Sequence, residues 1–178
     1  VAGVHGAPTA ATAAVSVCVL DSTGAGLAGA RIETYKSGWK DLGSTPSTGC
    51  VPVDSAVPGT TFAATRDGIR NELVRSTASD ANLVFTTVPV TFVLQSSAGA
   101  GLSGGAAEYY ASGWKGVRST GRSGSVTIEL LPANLTFAMT RDGIRNERVQ
   151  DTAKDPVVIF QTVAATVHLT SSAGTPLA

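Results

Sequence analysis

Histidine is almost missing from this chain: His5 and His168 are the only two in 178 residues. They lie far apart in sequence and in different modules, which argues against a histidine-ligated metal site. No Ser-His-Asp order with a nucleophile-elbow context is present, nor is a glycine-rich phosphate loop. Asp21, Asp54, Asp67 and Asp80 sit near turn residues but form no DxDxDG run, so nothing supports a calcium loop. An excess of either charge is also missing: 13 Lys and Arg balance 13 Asp and Glu. No basic patch stands out, which argues against nucleic acid and anionic membranes as partners. No apolar run approaches the roughly 20 residues of a membrane span, and no stretch has helical periodicity with caps. Without a reactive constellation, no catalytic residue, cofactor or metal is assigned, and the expectation is a protein that is not an enzyme. The chain opens "VAGVHGAPTA" without Met, which reads as a processed chain or a fragment.

What the sequence does have is internal repetition. "TRDGIRNE" occurs letter for letter at Thr65–Glu72 and at Thr140–Glu147, an offset of 75 residues. The same offset lays Gly24 on Gly99, Trp39 on Trp114, Phe62 on Phe137 and Phe85 on Phe160 without gaps. A third copy starts where "ATVHLTSSAG" (165–174) falls on "VTFVLQSSAG" (90–99). The expected organisation is a leader at 1–14, one repeat at 15–89, a second at 90–164, and a further first strand or donor strand at 165–178.

Within each copy the dominant pattern is period-two alternation. "VSVCVL" places Val15, Val17 and Val19 on one face, and "VTFVLQ" does the same with Val90, Phe92 and Leu94. Turn residues separate the runs: "STGAG", Ser37–Gly38, "STPSTG", "VPG" and "DG". Seven short strands follow for the first copy, near 17–20, 30–36, 39–44, 50–54, 60–66, 69–75 and 83–88. Seven strands in about 75 residues predict an all-β fold of tandem seven-stranded, immunoglobulin-like β-sandwich modules. The joins "LVFTTVPVTFVLQ" and "VVIFQTVAATVHL" lack a flexible linker's composition. The last strand of one copy is expected to run straight into the first strand of the next.

The repeated octapeptide reads first as a hairpin tip, because Asp-Gly suits a two-residue turn that needs positive φ at both positions. A second reading makes it an outward contact knob built from Arg66, Asp67, Arg70 and Glu72, and in the second copy from Arg141, Asp142, Arg145 and Glu147. The aromatic element is "YKSGWK", repeated as "YASGWK". A turn at Ser37–Gly38 brings Tyr35 near Trp39, and Tyr110 near Trp114. These rings either anchor the core or an interface, or present a platform for sugar rings. Glu33 and Glu108 are equivalent strand positions, expected to face solvent or be paired. Cys18 and Cys50 both fall in the first copy; their counterparts are Val93 and Ser125. Alternation turns both away from the valine face. A disulfide within the module is the leading reading, with an interchain bridge and free thiols as alternatives. "NLT" at Asn134–Thr136 fits an N-glycosylation sequon.

The stretches "VLDSTGAGLAGARIETY", "LQSSAGAGLSGGAAEYY", "VFTTVPVTFVL" and "VIFQTVAATVHL" resemble tandem immunoglobulin-like or prealbumin-like modules of bacterial surface proteins, including those called Cna-B-like. In that family a strand enters a D-x-x-G-x-x-L-x-G turn, and the closing strand leads into the next module. Family members often carry a Lys–Asn crosslink. Lys40 and Asn71 are the nearest substitutes here and sit on other strands, so the crosslink is not carried over. The resemblance implies an extracellular or cell-surface stalk, fibre or adhesin segment and no catalytic residues. The expected partners are copies of the chain or further repeats, with surface glycans bound by a Trp/Tyr platform as the alternative function. The apolar face Ala165, Val167 and Leu169 has no sandwich behind it, which makes this segment the candidate for strand addition.

Overall fold

The computed structural model describes residues 15–54, 58–75 and 82–174. The leader, Asp80 and the last four residues lie outside them. Among the described residues every regular element is a strand. The first seven are β1 (Val15–Leu20), β2 (Arg31–Tyr35), β3 (Trp39–Ser44), β4 (Cys50–Val53), β5 (Thr61–Arg66), β6 (Ile69–Val74) and β7 (Asn82–Thr86). The next seven are β8 (Val88–Gln95), β9 (Ala106–Tyr110), β10 (Trp114–Ser119), β11 (Ser125–Leu130), β12 (Asn134–Arg141), β13 (Ile144–Asp151) and β14 (Val157–Gln161). Each set of seven forms a three-stranded and a four-stranded sheet, in the orders β4-β1-β7 with β3-β2-β5-β6, and β11-β8-β14 with β10-β9-β12-β13. The fold is therefore tandem seven-stranded β-sandwiches. Two compact units divide the chain: the first runs to Pro89 and takes in Glu129–Asn134 and Asp151–Ala153, and the second begins at Val90 and holds the rest.

The alternating residues fill the interiors as the period-two pattern dictates. Val15, Val17 and Val19 of β1 are wholly buried with Ile32, Phe62, Leu83 and Phe85. In the other copy Val90, Phe92 and Leu94 are buried with Phe137, Met139, Val158 and Phe160. Phe92 and Phe137 meet edge to face at 5.4 Å. Such a pair contributes roughly 0.5–1.5 kcal/mol beyond its buried area. Tyr109 occupies the inward position that Thr34 holds in the first copy: each lies opposite the core phenylalanine, Thr34 facing Phe62 and Tyr109 facing Phe137.

The first and last strands of each copy are parallel neighbours. β1 pairs with β7 from Ser16↔Asn82 to Leu20↔Thr86, and β8 pairs with β14 from Val157↔Thr91 to Gln161↔Gln95. Only Thr87 separates the end of β7 from the start of β8. The turn after each first strand is clamped onto its own sheet: Leu27 N–H donates to Val19 C=O, and Leu102 N–H to Leu94 C=O, both at 2.9 Å. Glycine is obligatory at the crossing. A Cβ on Gly26 would sit 2.3 Å from the Thr48 backbone, and one on Gly101 would sit 2.1 Å from the Ser123 carbonyl oxygen. A buried threonine closes each clamp: Thr45 accepts from Ala30 N–H and donates to Leu27 C=O, and Thr120 does the same with Gly105 and Leu102.

Cys18 and Cys50 form a disulfide between directly opposed residues of β1 and β4. Cys18, which alternation turns away from the valines, is nevertheless only 5% exposed. The segment expected as a further strand carries no ladder, because residues 163–169 find no partner strand among the described residues. Its Val167 and Leu169 stand exposed.

Candidate functional site

The two motifs read separately in the sequence meet on the outer face of each four-stranded sheet. β2 presents Arg31, Glu33 and Tyr35 outward while Ile32 and Thr34 face the core. The turn at residues 36–38 returns β3 with Trp39 directly opposite Tyr35, their rings 5.2 Å apart. From the far edge strand, β6, Arg70 lays its guanidinium 4.0 Å over the Trp39 ring. The same guanidinium donates to Glu33 on β2 through Nη1, and to Glu72 on its own strand through Nε at 3.3 Å. The second copy repeats this with Tyr110 and Trp114 at 5.5 Å, Arg145 at 4.0 Å over Trp114, and Glu108 and Glu147 as the carboxylates. Hydrogen bonds from Arg145 to Glu147, then to Glu108, push its guanidinium pKa above the usual arginine value.

Register explains how an arginine reaches across the sheet. Glu33, Ala63 and Glu72 form one row over β2, β5 and β6, and Ala138 faces Glu108 in the other copy. Both alanines point outward yet are completely buried, because the arginine side chain lies across them. A larger residue there would lift the guanidinium off its glutamate. The first copy adds an outer pair, Arg31 with Asp41 at 3.1 Å and with Glu33 at 3.2 Å. The Gly43 N–H, helped by Arg31, holds the Asp41 carboxyl below its ordinary pKa. The second copy has Ala106 and Gly116 at these positions and lacks that pair.

The octapeptide thus has two parts with different work. Asp67 and Gly68 take φ of 54° and 84°, and Asp142 and Gly143 take 51° and 78°, as a primed two-residue turn requires. Arg66 pairs with Asp67 at 3.4 Å, and Arg141 with Asp142 at 3.3 Å, at the tips. Arg70, Glu72, Arg145 and Glu147 belong instead to the sheet-face clasp. A cation over an exposed ring contributes roughly 0.5–1 kcal/mol, and hydrogen bonds to a charged partner about 1.5–3 kcal/mol before screening. The clasp ties three strands of a four-stranded sheet together and offers no nucleophile.

The tryptophans are not core anchors. Trp39 is 41% and Trp114 42% exposed, because alternation from Tyr35 and Tyr110 carries them to the outer face. Glu33 and Glu108, the equivalent positions expected to face solvent or be paired, are each paired with the clasp arginine of their own sheet. Lys40 and Asn71 stand on β3 and β6, opposite edges of the sheet. Three strand spacings of about 4.8 Å keep them from reacting. Ala165, Val167 and Leu169 take no part in either clasp. Among the described residues no group of three or more His, Cys, Asp or Glu could hold a metal ion, and no helix is long and apolar enough to cross a membrane.

No known family's sequence model matches the chain, and no curated protein does. Several solved structures are similar in part, among them the following three. The Bacillus anthracis TIE protein is 15% identical over 85% of this chain, which spans 33% of that protein, with a TM-score of 0.33. A streptococcal ancillary pilin is 11% identical over 89% of this chain and 64% of its own, with a TM-score of 0.34. The shaft pilin spaA from Lactobacillus rhamnosus GG is 11% identical over 88% of this chain and 99% of its own, with a TM-score of 0.34. The chain thus spans a third to about two thirds of the first two. Likenesses this distant assign no function.

Proposed function

We propose that this chain is a non-catalytic, load-bearing segment of an extracellular stalk or fibre, with repeats at 15–89 and 90–164 as its mechanical units. The observation that carries the reading is the parallel pairing of first and last strands in both copies. Tension applied to the two ends of such a unit pulls parallel neighbours in opposite directions. All their ladder bonds are then loaded together in shear, whereas an antiparallel hairpin opens one bond at a time. The Cys18–Cys50 disulfide supports an oxidising compartment. The segment at 163–169, without a partner strand among the described residues, supports strand addition through Ala165, Val167 and Leu169 to the sheet edge of a neighbouring copy.

The test is single-molecule pulling between the chain's ends. Two separate force peaks are expected, one per repeat; smooth extension at low force would contradict a mechanical role. A second reading, a carbohydrate-binding adhesin, is favoured by the partial exposure of Tyr35, Trp39, Tyr110 and Trp114. Against it, Arg70 and Arg145 already cover one face of each indole. Quenching of tryptophan fluorescence by a glycan panel decides: no response to any glycan removes this second reading.

A further inference from the structure

The first compact unit contains a carboxylate held by an identifiable set of residues. Glu129 accepts from the hydroxyl of Ser22, from the Ser22 backbone N–H at 3.3 Å and from the hydroxyl of Thr87. Its backbone carbonyl accepts from Arg66 Nη1 at 3.5 Å. Thr87 is buried in this arrangement, as is Ile69 at 4% exposure.

Moved by the repeat offset of 75, Ser22, Arg66 and Thr87 become Ser97, Arg141 and Thr162, all unchanged in type and all in the second unit. Here, among the described residues, Arg141 pairs only with its neighbour Asp142, at 3.3 Å. Ser97 and Thr162 are exposed, and among the described residues no carboxylate hydrogen bonds to either. Ile144, the counterpart of buried Ile69, is 68% exposed, and Val163 is 87% exposed where its counterpart Val88 is half-buried. Arg141, Ile144, Thr162 and Val163 line an open groove of about 750 Å³ within this unit. The same offset taken backwards from Glu129 gives Asp54, an exposed carboxylate to which no donor among the described residues hydrogen bonds.

We infer that the Ser97 and Thr162 hydroxyls form a receiving socket for the Asp54 carboxylate of a second copy of this chain, with Arg141 reaching the backbone carbonyl of that residue as Arg66 reaches that of Glu129, and that this docking covers Ile144 and Val163. The inference rests on the structural reading above and supplies that reading with its contact between chains. The occupied set around Glu129 argues for this occupant: the same two hydroxyls, one repeat earlier, hold the carboxylate that stands 75 positions after Asp54. The donor lies in the first unit and the socket in the second, so each copy can give through one unit and receive through the other. A heterologous contact of that kind propagates to a ring or a filament and does not stop at a dimer.

Sedimentation equilibrium on the whole chain tests it. Wild-type mass should rise with concentration past the dimer. Asp54→Glu, which restores the reach of Glu129, should tighten association. Asp54→Asn and the double variant Ser97→Ala/Thr162→Val should each weaken it by about tenfold or more, as expected for lost hydrogen bonds to a charged group. Unchanged melting curves would show that these exposed substitutions leave the fold intact. An equimolar mixture of Asp54→Asn with Ser97→Ala/Thr162→Val should give one-to-one heterodimers and nothing longer, since one partner keeps only the socket and the other only the donor. The inference is overturned if wild type and Asp54→Glu both remain monomeric, or if association ignores both weakening variants. Association by Asp54→Glu alone would overturn Asp54 as the natural occupant. Force peaks from a single pulled chain do not depend on any of these outcomes, so the load-bearing reading stands or falls separately.

Discussion

The disulfide gives the two repeats different mechanical signatures. Both copies present about the same length of folded chain between their first and last strands. Only the first contains a crosslink, which joins residues separated by 32 positions. When that repeat yields, β1 and β7 part, but the chain between Cys18 and Cys50 cannot extend. At roughly 3.3–3.6 Å per extended residue, the 32 locked positions shorten the released length by roughly 105–115 Å relative to the second repeat. Pulling the oxidised chain between its ends should therefore give one short and one long increment. Adding a thiol reductant should lengthen the short increment to match the other and leave the long one unchanged. Reduction also frees the unfolded chain: closing a loop of this separation corresponds to ~3.5–4 kcal/mol in the chain-entropy treatment. The denaturation midpoint reported by Trp39 should accordingly fall on reduction. Equal increments in the oxidised chain, or a reductant effect on the long increment, would refute the assignment of strands and crosslink to separate load-bearing repeats.

Other substitutions probe the sheet-face clasp and the turns. Arg70→Ala should destabilise the first repeat by about 1–2 kcal/mol, because it removes the ring contact and leaves the largely buried Glu33 with only Arg31; urea denaturation followed by circular dichroism measures it. Ala63→Leu and Ala138→Leu should have costs of similar size by lifting the guanidinium, about 1–3 kcal/mol for an overpacked site, and should change tryptophan emission by uncovering the indole. Gly26→Ala and Gly101→Ala should prevent normal folding of their repeats, seen as loss of dispersed methyl resonances, because the new Cβ meets backbone that cannot retreat. Asp21, which accepts from the Thr23 hydroxyl and the Ala25 N–H, has its pKa lowered by those bonds. The folded value lies below the unfolded one, so its stabilising effect is complete above the ordinary carboxylate range and is lost as pH falls through the lower folded value. Carbon-detected titration should find the Asp21 midpoint lower in the folded chain than after Thr23→Ala.

Local sequence patterns were enough to place the strands, because strand spacing and turn chemistry are properties of neighbouring residues. Val15, Val17 and Val19 lie inside as alternation requires, and Asp67–Gly68 makes the turn that its residue types favour. The clasp was hidden for a physical reason. Arg70 and Trp39 meet only because the sheet order is β3-β2-β5-β6, which no local pattern states. The sequence left Trp39 open between an anchor of the core or an interface and an exposed platform; its partner across the turn, Tyr35, sets the face it occupies. The burial of Cys18 escaped for a similar reason, since alternation gives the side of a sheet and not what covers it. The segment at 163–169 has a strand's sequence, but a strand exists only with a partner to complete its ladder.

The load-bearing account turns on the parallel terminal strands, and a comparison of pulling directions measures their role most directly. Handles at residues 15 and 87 load β1 against β7 in shear, whereas handles at Thr61 and Val74, opposed at the open end of the β5–β6 hairpin, unzip it bond by bond. The account predicts a markedly higher rupture force for the first pair at the same loading rate. Equal forces, or a lower force in the shear direction, would contradict it.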